Sequence, residues 1–507
     1  METVIVLLAT CSLGGIGSVA IDCRRFAAPE MRNRHVAYSV LNTHVRPAQV
    51  EKQMTIDAQS GAKGRVDAYF GISRHGSTVK REIMAGTVTF LAMSYVLAVN
   101  PAVLGDHGTL GAKGIPTQAV FTATAVAAVV GTLVMGLWAR YPIALAPGMG
   151  LNAFFAYSVV LGMGIHWQVA LSGTLLSGVI FFVLAITKIR EKIIDAIPMQ
   201  LKLAVGAGIG MFVAFLGLKN GGLVVASEST FVHLGDFTKG TTLLALFGLL
   251  ITVIFLVIGW HGAVLYGIVA TTIVGIVSGL VPLPHSVVSL PHGLDQTFGQ
   301  AIVNLPHAFT GQMVIVVLTM LFVDFFDASG TLIGIANQAG LLTPEGKLPR
   351  AAQAFASDSV GTAAGAIIGT STTTAYVEST AGVSAGGRTG ITAISTAGWF
   401  LIAMFLFPIF DVVAGASSVT APALIVVGVL MSRSLGQIDW SELEYAIPAF
   451  ITVIMMPLTY SIANGIAMGL LFYPIVMVAK RRGREVHPVV WVLAVIFLAY
   501  FFFLANR

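Results

Sequence analysis

Two aspartates stand three residues apart in "LFVDFFDASGTLIG" (321–334), so Asp324 and Asp327 share one face of any helix that carries them. A third acid, Glu378, ends a crowded hydroxyl run in "TSTTTAYVESTAG" (370–382). All three are embedded in apolar sequence. A charged side chain at the centre of a membrane helix costs about 2.5–3.5 kcal/mol on insertion scales, so such residues face the bundle interior and mark substrate or ion paths. Burial disfavours the charged form of a carboxyl. A group held this way can take up a proton together with a solute and release both on the far side. It can also accept hydrogen bonds from the N–H donors of a flat, uncharged heterocycle. The plainer role is a carboxylate paired to a hydroxyl or backbone N–H for packing, and it competes most strongly at Asp327, which can equally orient its neighbours. Asn152, in "APGMGLNAFFAY" (146–157), is a further polar candidate. Phe154 and Phe155 beside it can form a stacking wall or simply fill core.

These residues need a frame that a water-soluble chain does not supply. Of 507 residues, 56% are hydrophobic and 10% charged, with a mean hydropathy of +0.87. A bilayer core of about 30 Å takes about 20 apolar residues per helix. Runs of that kind recur from about residue 83 to residue 504, as in "VFTATAVAAVVGTLVMGLWA" (120–139) and "LLALFGLLITVIFLVIGW" (243–260). The chain therefore reads as an all-α polytopic membrane protein, and its 55 glycines suit close helix packing. A net charge of +5 would suggest nucleic acid in a soluble chain. Here the basic residues gather at the ends of apolar runs, so topology explains them and no nucleic-acid partner is expected.

Fourteen candidate spans follow Tyr69: 82–101, 118–138, 148–163, 168–187, 201–218, 241–259, 262–281, 312–336, 352–369, 374–386, 390–413, 419–432, 446–461 and 462–480. With the amino end of the first span inside, Arg140, Lys188, Arg190, Lys192, Lys347, Arg350, Arg388, Arg433 and Lys480 all fall on the cytoplasmic side. The segment 282–311, without a single Lys or Arg, falls outside. That agrees with the positive-inside rule. The expectation is a multi-pass protein of the cell (plasma or inner) membrane with a cytoplasmic amino end at the first core span.

Two spans are interrupted. The third starts in "YPIALAPGMG" (141–150), whose Pro and Gly residues forbid a continuous helix. The tenth starts in "GTSTTTAYVES" (369–379), whose β-branched run favours extended backbone. They hold the same ordinal place in two sets of seven. An odd number of spans per set makes the second set inverted relative to the first, the logic of secondary transporters whose broken helices meet near the midplane with their amino ends toward substrate. The resulting layout is a first seven-span repeat over 67–281, an extracellular loop over 282–311 and a second repeat over 312–485.

The flanks are plainer. Residues 1–66 form an amino-terminal extension, polar and flexible over 24–66; its apolar 3–21 stretch lacks the basic start of a signal peptide and reads as a poor signal peptide, an added helix or, preferred, an upstream start without structural role. Cys11 and Cys23, the two cysteines, lie in it and imply neither a disulfide framework nor a thiol metal site. The apolar stretch 487–505, within a carboxyl-terminal segment 486–507, is able either to span or to lie against the bundle. "GVSAG" (382–386) matches a hydrolase nucleophile elbow but lies in a membrane segment with no His nearby, so it reads as small-residue packing. The histidines show no metal-ligand spacing, and no metal or cofactor is expected.

At "GTVTFLAMSYVLAVNP" (86–101), "APGMGLNAFFAY" (146–157), "LFVDFFDASGTLIG" (321–334) and "STTTAYVESTAGVSAGGRTG" (371–390), the chain resembles the xanthine/uracil permease superfamily. More closely it resembles the adenine–guanine–hypoxanthine branch, the second nucleobase:cation symporter family. The likeness covers about residues 67–485. It implies fourteen spans as two inverted seven-span repeats with broken third and tenth spans, core and gate domains, and uptake of a purine nucleobase with protons. It implies that Asp324 binds the base with Asp327 beside it, and that Glu378 binds the base or couples the proton. Asn152, Phe154 and Thr374 are the other expected base contacts, and Asp324 and Asp327 join Glu378 as proton-coupling candidates. Carriers of this fold resemble dimers, which makes a homodimer the expected assembly in the lipid bilayer. The Gln/Glu-Asn-x-Gly run of the uracil and xanthine branches is absent from the tenth span, which favours adenine, guanine or hypoxanthine. The alternatives are a carrier of uracil, xanthine or an anion on the same fold, then a channel or a membrane enzyme. The lack of Lys and Arg in the site segments speaks against an anion, and an enzyme would need a metal cluster or a nucleophile with its base.

Overall fold

The computed structural model describes residues 64–187, 197–343 and 347–503. The extension up to Lys63, with Cys11 and Cys23, lies outside the described residues, as do Lys188, Arg190 and Lys192. The described chain is mainly helical. Its long elements are α1 (Val79–Leu104), α2 (Thr117–Ala139), α3 (Met149–Gly162), α4 (Trp167–Ile186), α5 (Met199–Asn220), α6 (Gly240–Ile258) and α7 (Ala263–Val277). A second series follows: α8 (Gly311–Gln338), α9 (Ala351–Ile368), α10 (Ser379–Ser384), α11 (Gly390–Gly415), α12 (Ser417–Gln437), α13 (Leu443–Leu458) and α14 (Ile462–Ala479). Strand β1 (Leu145–Pro147) precedes α3, β2 (Val224–Ser227) and β3 (Phe231–Leu234) form a hairpin after α5, and β4 (Thr373–Ala375) precedes α10. Each predicted span overlaps one of these helices. Nine, among the described residues, are long and apolar enough to cross a membrane, and the chain is a multi-pass membrane protein.

Capping follows local chemistry. The side chains of Thr78, Thr310 and Ser461 accept from backbone N–H groups in the first turns of α1, α8 and α14, and so satisfy donors that have no helical partner. The apolar faces that do not pack inward, such as those carrying Leu250, Val257, Ile273 and Leu401, remain exposed, as a lipid-facing surface requires.

Packing sorts the helices into two groups. In one, α1 and α2 pack on α11 while α8 and α9 pack on α4. In the other, α5 packs on α12 and α13, α6 packs on α7 and α12, and α13 packs on α14. The groups touch where α1 meets α7 and α12, and where α8 meets α14 and α5. Most of these pairings recur when each helix is replaced by the one seven places later in the series.

Three segments refine the sequence expectation. The tenth span is a three-residue strand and a six-residue helix: the Thr run stays extended as its β-branched residues favour, and Gly386 and Gly387 end the helix. The 282–311 segment contains short helices, Leu294–Thr297 and Gln300–Val303, and a 3-10 turn, Leu305–Ala308. Thr297 Oγ1 donates to Ile368 O at 2.8 Å and Gly299 N to Ile367 O at 2.8 Å, so this segment caps the end of α9. The carboxyl-terminal stretch forms a fifteenth helix, α15 (Pro488–Phe503), packed against α14 through buried Val490, Leu493, Ala494 and Phe497.

Candidate functional site

The two interrupted segments meet as a ribbon. Strands β1 and β4 pair antiparallel with Leu145 opposite Ala375, Ala146 opposite Thr374 and Pro147 opposite Thr373. Gly148 N donates to Thr372 O (2.9 Å) and Tyr376 N to Ala144 O (3.0 Å), which continues the ladder at both ends. All six strand residues are buried. A two-stranded ribbon has two outer edges, and buried edges need partners. Thr132 of α2 serves one: its Oγ1 accepts from Leu145 N (2.9 Å) and donates to Leu145 O (3.0 Å). Thr362 of α9 serves the other, donating to Thr373 O at 2.7 Å. Each threonine follows a glycine. A Cβ on Gly131 would lie 3.4 Å from Gly361 Cα, and one on Gly361 3.3 Å from Gly131 Cα, so α2 and α9 lie flush behind the ribbon.

Acids gather around this crossing. Asp324, midway along α8, is fully buried, with Oδ2 3.3 Å from Thr362 Oγ1 and with the Thr374 and Asp358 side chains beside it. The single Thr362 proton already serves Thr373 O at the shorter distance, which leaves Asp324 the weaker contact. Asp327, half-buried, interacts electrostatically with both Asp324 and Glu378 and so connects them. Glu378, also half-buried, accepts through Oε1 from the Tyr95 hydroxyl of α1 at 2.7 Å. Tyr95 sits at a break in α1, between Val79–Met93 and Val96–Leu104.

Asn152, in the first turns of α3, is fully buried and accepts through Oδ1 from Ser371 Oγ, across the crossing. Among the described residues its Nδ2 has no hydrogen-bond partner, and neither do the hydroxyls of Thr372 and Thr373, while the Thr374 side chain lies beside Asp324 and Asp327. Phe154 and Phe155 are fully buried in the main apolar cluster, at the point where α3 widens into a π-helix over Phe154–Gly162.

Two further residues belong here. Asp358 of α9 is fully buried, lies beside the Ala375 backbone of β4, and interacts electrostatically with Asp324 and Asp327. Asn100 of α1 donates to Thr124 Oγ1 (2.6 Å) and Thr370 Oγ1 (3.0 Å), which joins α1, α2 and the start of the threonine run. Their signal in the sequence is a polar residue inside an apolar or small-residue span. The crossing therefore concentrates spare hydrogen-bonding capacity that elsewhere in a folded interior would be satisfied.

Hollows elsewhere are of a different kind. One of about 580 Å³ is lined by His166, Gln168, Asn304, His307 and Gln312, and one of about 330 Å³ by His107, Gln118, His292 and Asp295. Both lie among interhelical connections, apart from the buried acids. Among the described residues, no group of three or more His, Cys, Asp or Glu is placed to hold a metal ion.

This architecture is that of solved membrane transporters. The transmembrane domain of a cyanobacterium bicarbonate transporter, BicA, superposes with a TM-score of 0.54 over 76% of this chain and 97% of its own, at 17% identity. The overall structure of SLC26A9 gives 0.55 over 85% of this chain and 70% of its own, at 12% identity, a likeness of fold alone. Sequence carries the assignment further: residues 80–468 match the permease family of xanthine/uracil type, and the chain belongs to that family, in its purine branch. It is a permease and not an enzyme. The guanine/hypoxanthine permease PbuG of Bacillus subtilis (strain 168) is 53% identical over 439 residues, covering 86% of this chain and 99% of the relative. The adenine permease AdeP of Escherichia coli (strain K12) is 40% identical over 440 residues, covering 87% and 96%.

Proposed function

We propose that the protein is a secondary active transporter that takes up purine nucleobases together with protons. The observation that carries this reading is the meeting of acids from separate elements, Asp324 and Asp327 from α8 and Glu378 from before α10, beside the ribbon where two interrupted helices cross. Asp324 accepts an N–H of the base, Asn152 and Thr374 offer amide and hydroxyl contacts, and Phe154 provides a wall. Glu378 carries the coupled proton, with Asp327 as its electrostatic partner and Asp324 linked to it through Asp327. A protonated Asp324 can donate to Thr362 Oγ1 while that hydroxyl continues to serve Thr373 O, so one geometry suits an acid that gains and loses a proton. Names of the relatives support the substrate class, and the higher identity to a guanine/hypoxanthine permease puts those bases ahead of adenine.

The same reading makes the chain two inverted seven-span repeats, 67–281 and 312–485, with 282–311 outside. The recurrence of helix pairings at a seven-helix interval supports it. The group built from α1–α4 and α8–α11 is the core, and the group built from α5–α7 and α12–α14 is the gate. The distribution of Lys and Arg supports a cytoplasmic amino end at α1 in a cell membrane, and a homodimer is the proposed assembly.

Uptake of radiolabelled guanine, hypoxanthine and adenine in cells lacking their own purine permeases tests this. The expected result is accumulation that a protonophore collapses and that unlabelled purine, but not uracil, competes away. Accumulation unaffected by the protonophore, or absence of purine uptake from membranes that contain the protein, would overturn it.

A further inference from the structure

Glu82 has no part in the reading above, yet it is fully buried and, among the described residues, paired with no cation. It lies in the first turn of α1, and its carboxylate reaches the start of α11. Oε1 accepts from Arg388 N (3.1 Å), and Oε2 accepts from Thr389 N (3.1 Å) and from the Thr392 hydroxyl (2.5 Å). A buried carboxylate is stabilised by such donors and by the positive end of a helix. The Arg388 side chain then turns the other way. Its Nη1 donates to Val383 O (2.6 Å) and Gly387 O (2.7 Å), and so covers carbonyls at the end of α10.

Helix α10 has six residues and cannot be stable by itself, since isolated helices shorter than about 12–15 residues are marginal. What lies at its ends must therefore place it. At its start, Tyr95 of α1 holds Glu378 and Ser379 Oγ accepts from Ala144 N (3.0 Å). At its end Glu82 holds the Arg388 backbone N–H while the Arg388 guanidinium covers the last carbonyls. Between them α10 lies flush on α1: a Cβ on Gly382 would come within 2.1 Å of Thr89 Oγ1 and 2.6 Å of Ala85 O.

We propose that Glu82 and Arg388 are positioning residues, a clasp by which α1 sets the location of α10 and with it the Glu378 carboxylate. The inference rests on the transport reading for its functional consequence, but the clasp itself is a claim about α10. In the full-length protein, Glu82→Gln keeps the size of the side chain but puts an amide where N–H donors converge. Hydrogen exchange is expected to rise over residues 379–389 and to stay unchanged over Met199–Asn220. Concentrative guanine uptake per molecule in the membrane is expected to fall about tenfold, while exchange of preloaded guanine falls less than about threefold, in the range by which remote residues alter coupling. Arg388→Lys, which keeps the charge but not the guanidinium, is expected to shift both readouts in the same direction and serves if Glu82→Gln does not reach the membrane.

Unchanged hydrogen exchange over 379–389 would overturn the clasp, and so would an equal fall in accumulation and exchange, which marks a general structural defect. Glu378→Gln measured alongside separates the two claims. If it leaves accumulation intact, the coupling role of Glu378 fails, and the hydrogen-exchange result alone decides the clasp.

Discussion

The third and tenth segments begin alike and end differently. Each enters as a short strand, each strand is paired to the other, and each is held along its outer edge by a threonine from the helix before it. Beyond the crossing, the first continues as a helix of 14 residues that widens into a π-helix and buries Phe154, Phe155 and Tyr157 in the main apolar core. The second continues for only six residues and then depends on Tyr95, Arg388 and Glu82. The half that packs itself carries an amide, Asn152, and the half that is held by others carries the carboxylate, Glu378. A charge in a membrane protein needs polar support, and an element fixed through hydrogen bonds supplies it where an element fixed by apolar packing does not.

The largest effect that would break this contrast comes from the charge itself. Glu378→Gln is expected to abolish protonophore-sensitive accumulation while exchange of preloaded purine persists. Full accumulation in that variant would make the two halves equivalent. Next comes the packing. Gly382→Ala drives a methyl against the Ala85 backbone and Thr89, whereas Gly148→Ala meets the Thr374 methyl at 2.7 Å, the end of a side chain that can turn. Overpacking of the first kind costs roughly 1–3 kcal/mol, so Gly382→Ala is expected to lower the unfolding midpoint of the purified protein clearly more than Gly148→Ala. Equal midpoints would show that α10 tolerates displacement as easily as α3. The smallest difference separates the two edge threonines. Thr132→Val and Thr362→Val each strand buried ribbon groups at about 1–3 kcal/mol. Thr362→Val is expected to reduce guanine affinity as well, because Thr362 also contacts Asp324. A change of affinity in Thr132→Val alone would reverse the assignment of sides.

Much of this was readable from the residues. Long apolar runs report spans because lipid demands them, and Pro142, Pro147 and the threonine run announce broken helices because they oppose continuous ones. Asp324, Asp327 and Glu378 stand out because charge is scarce in such runs. Asp358 does not: it lies in "AFASDSVGTAAG" (354–365), a small-residue stretch in which one more polar side chain draws little notice. The recurrence of Val-Gly-Thr at 130–132 and 360–362 was the available clue to α2 and α9 as matching supports of the ribbon. Glu82 follows Lys80 and Arg81 and resembles a solvated residue at a helix start. Only tertiary packing of α1 on α11 buries it. The π geometry of α3 and the folding of 282–311 onto the end of α9 likewise depend on contacts far apart in the chain.

The ribbon also constrains how the chain can be made. Tyr376 and Pro147, joined by a hydrogen bond of 2.5 Å, are 229 residues apart, and ribosomes add about 5–20 residues per second. For some tens of seconds, on the order set by that rate, the first strand has emerged and its mate has not been synthesised. Thr132 precedes Leu145 by only 13 residues and engages both its N–H and its carbonyl. Its hydroxyl can engage that strand as soon as the strand is made, which makes it a chaperone built into the chain for a backbone that must wait in lipid.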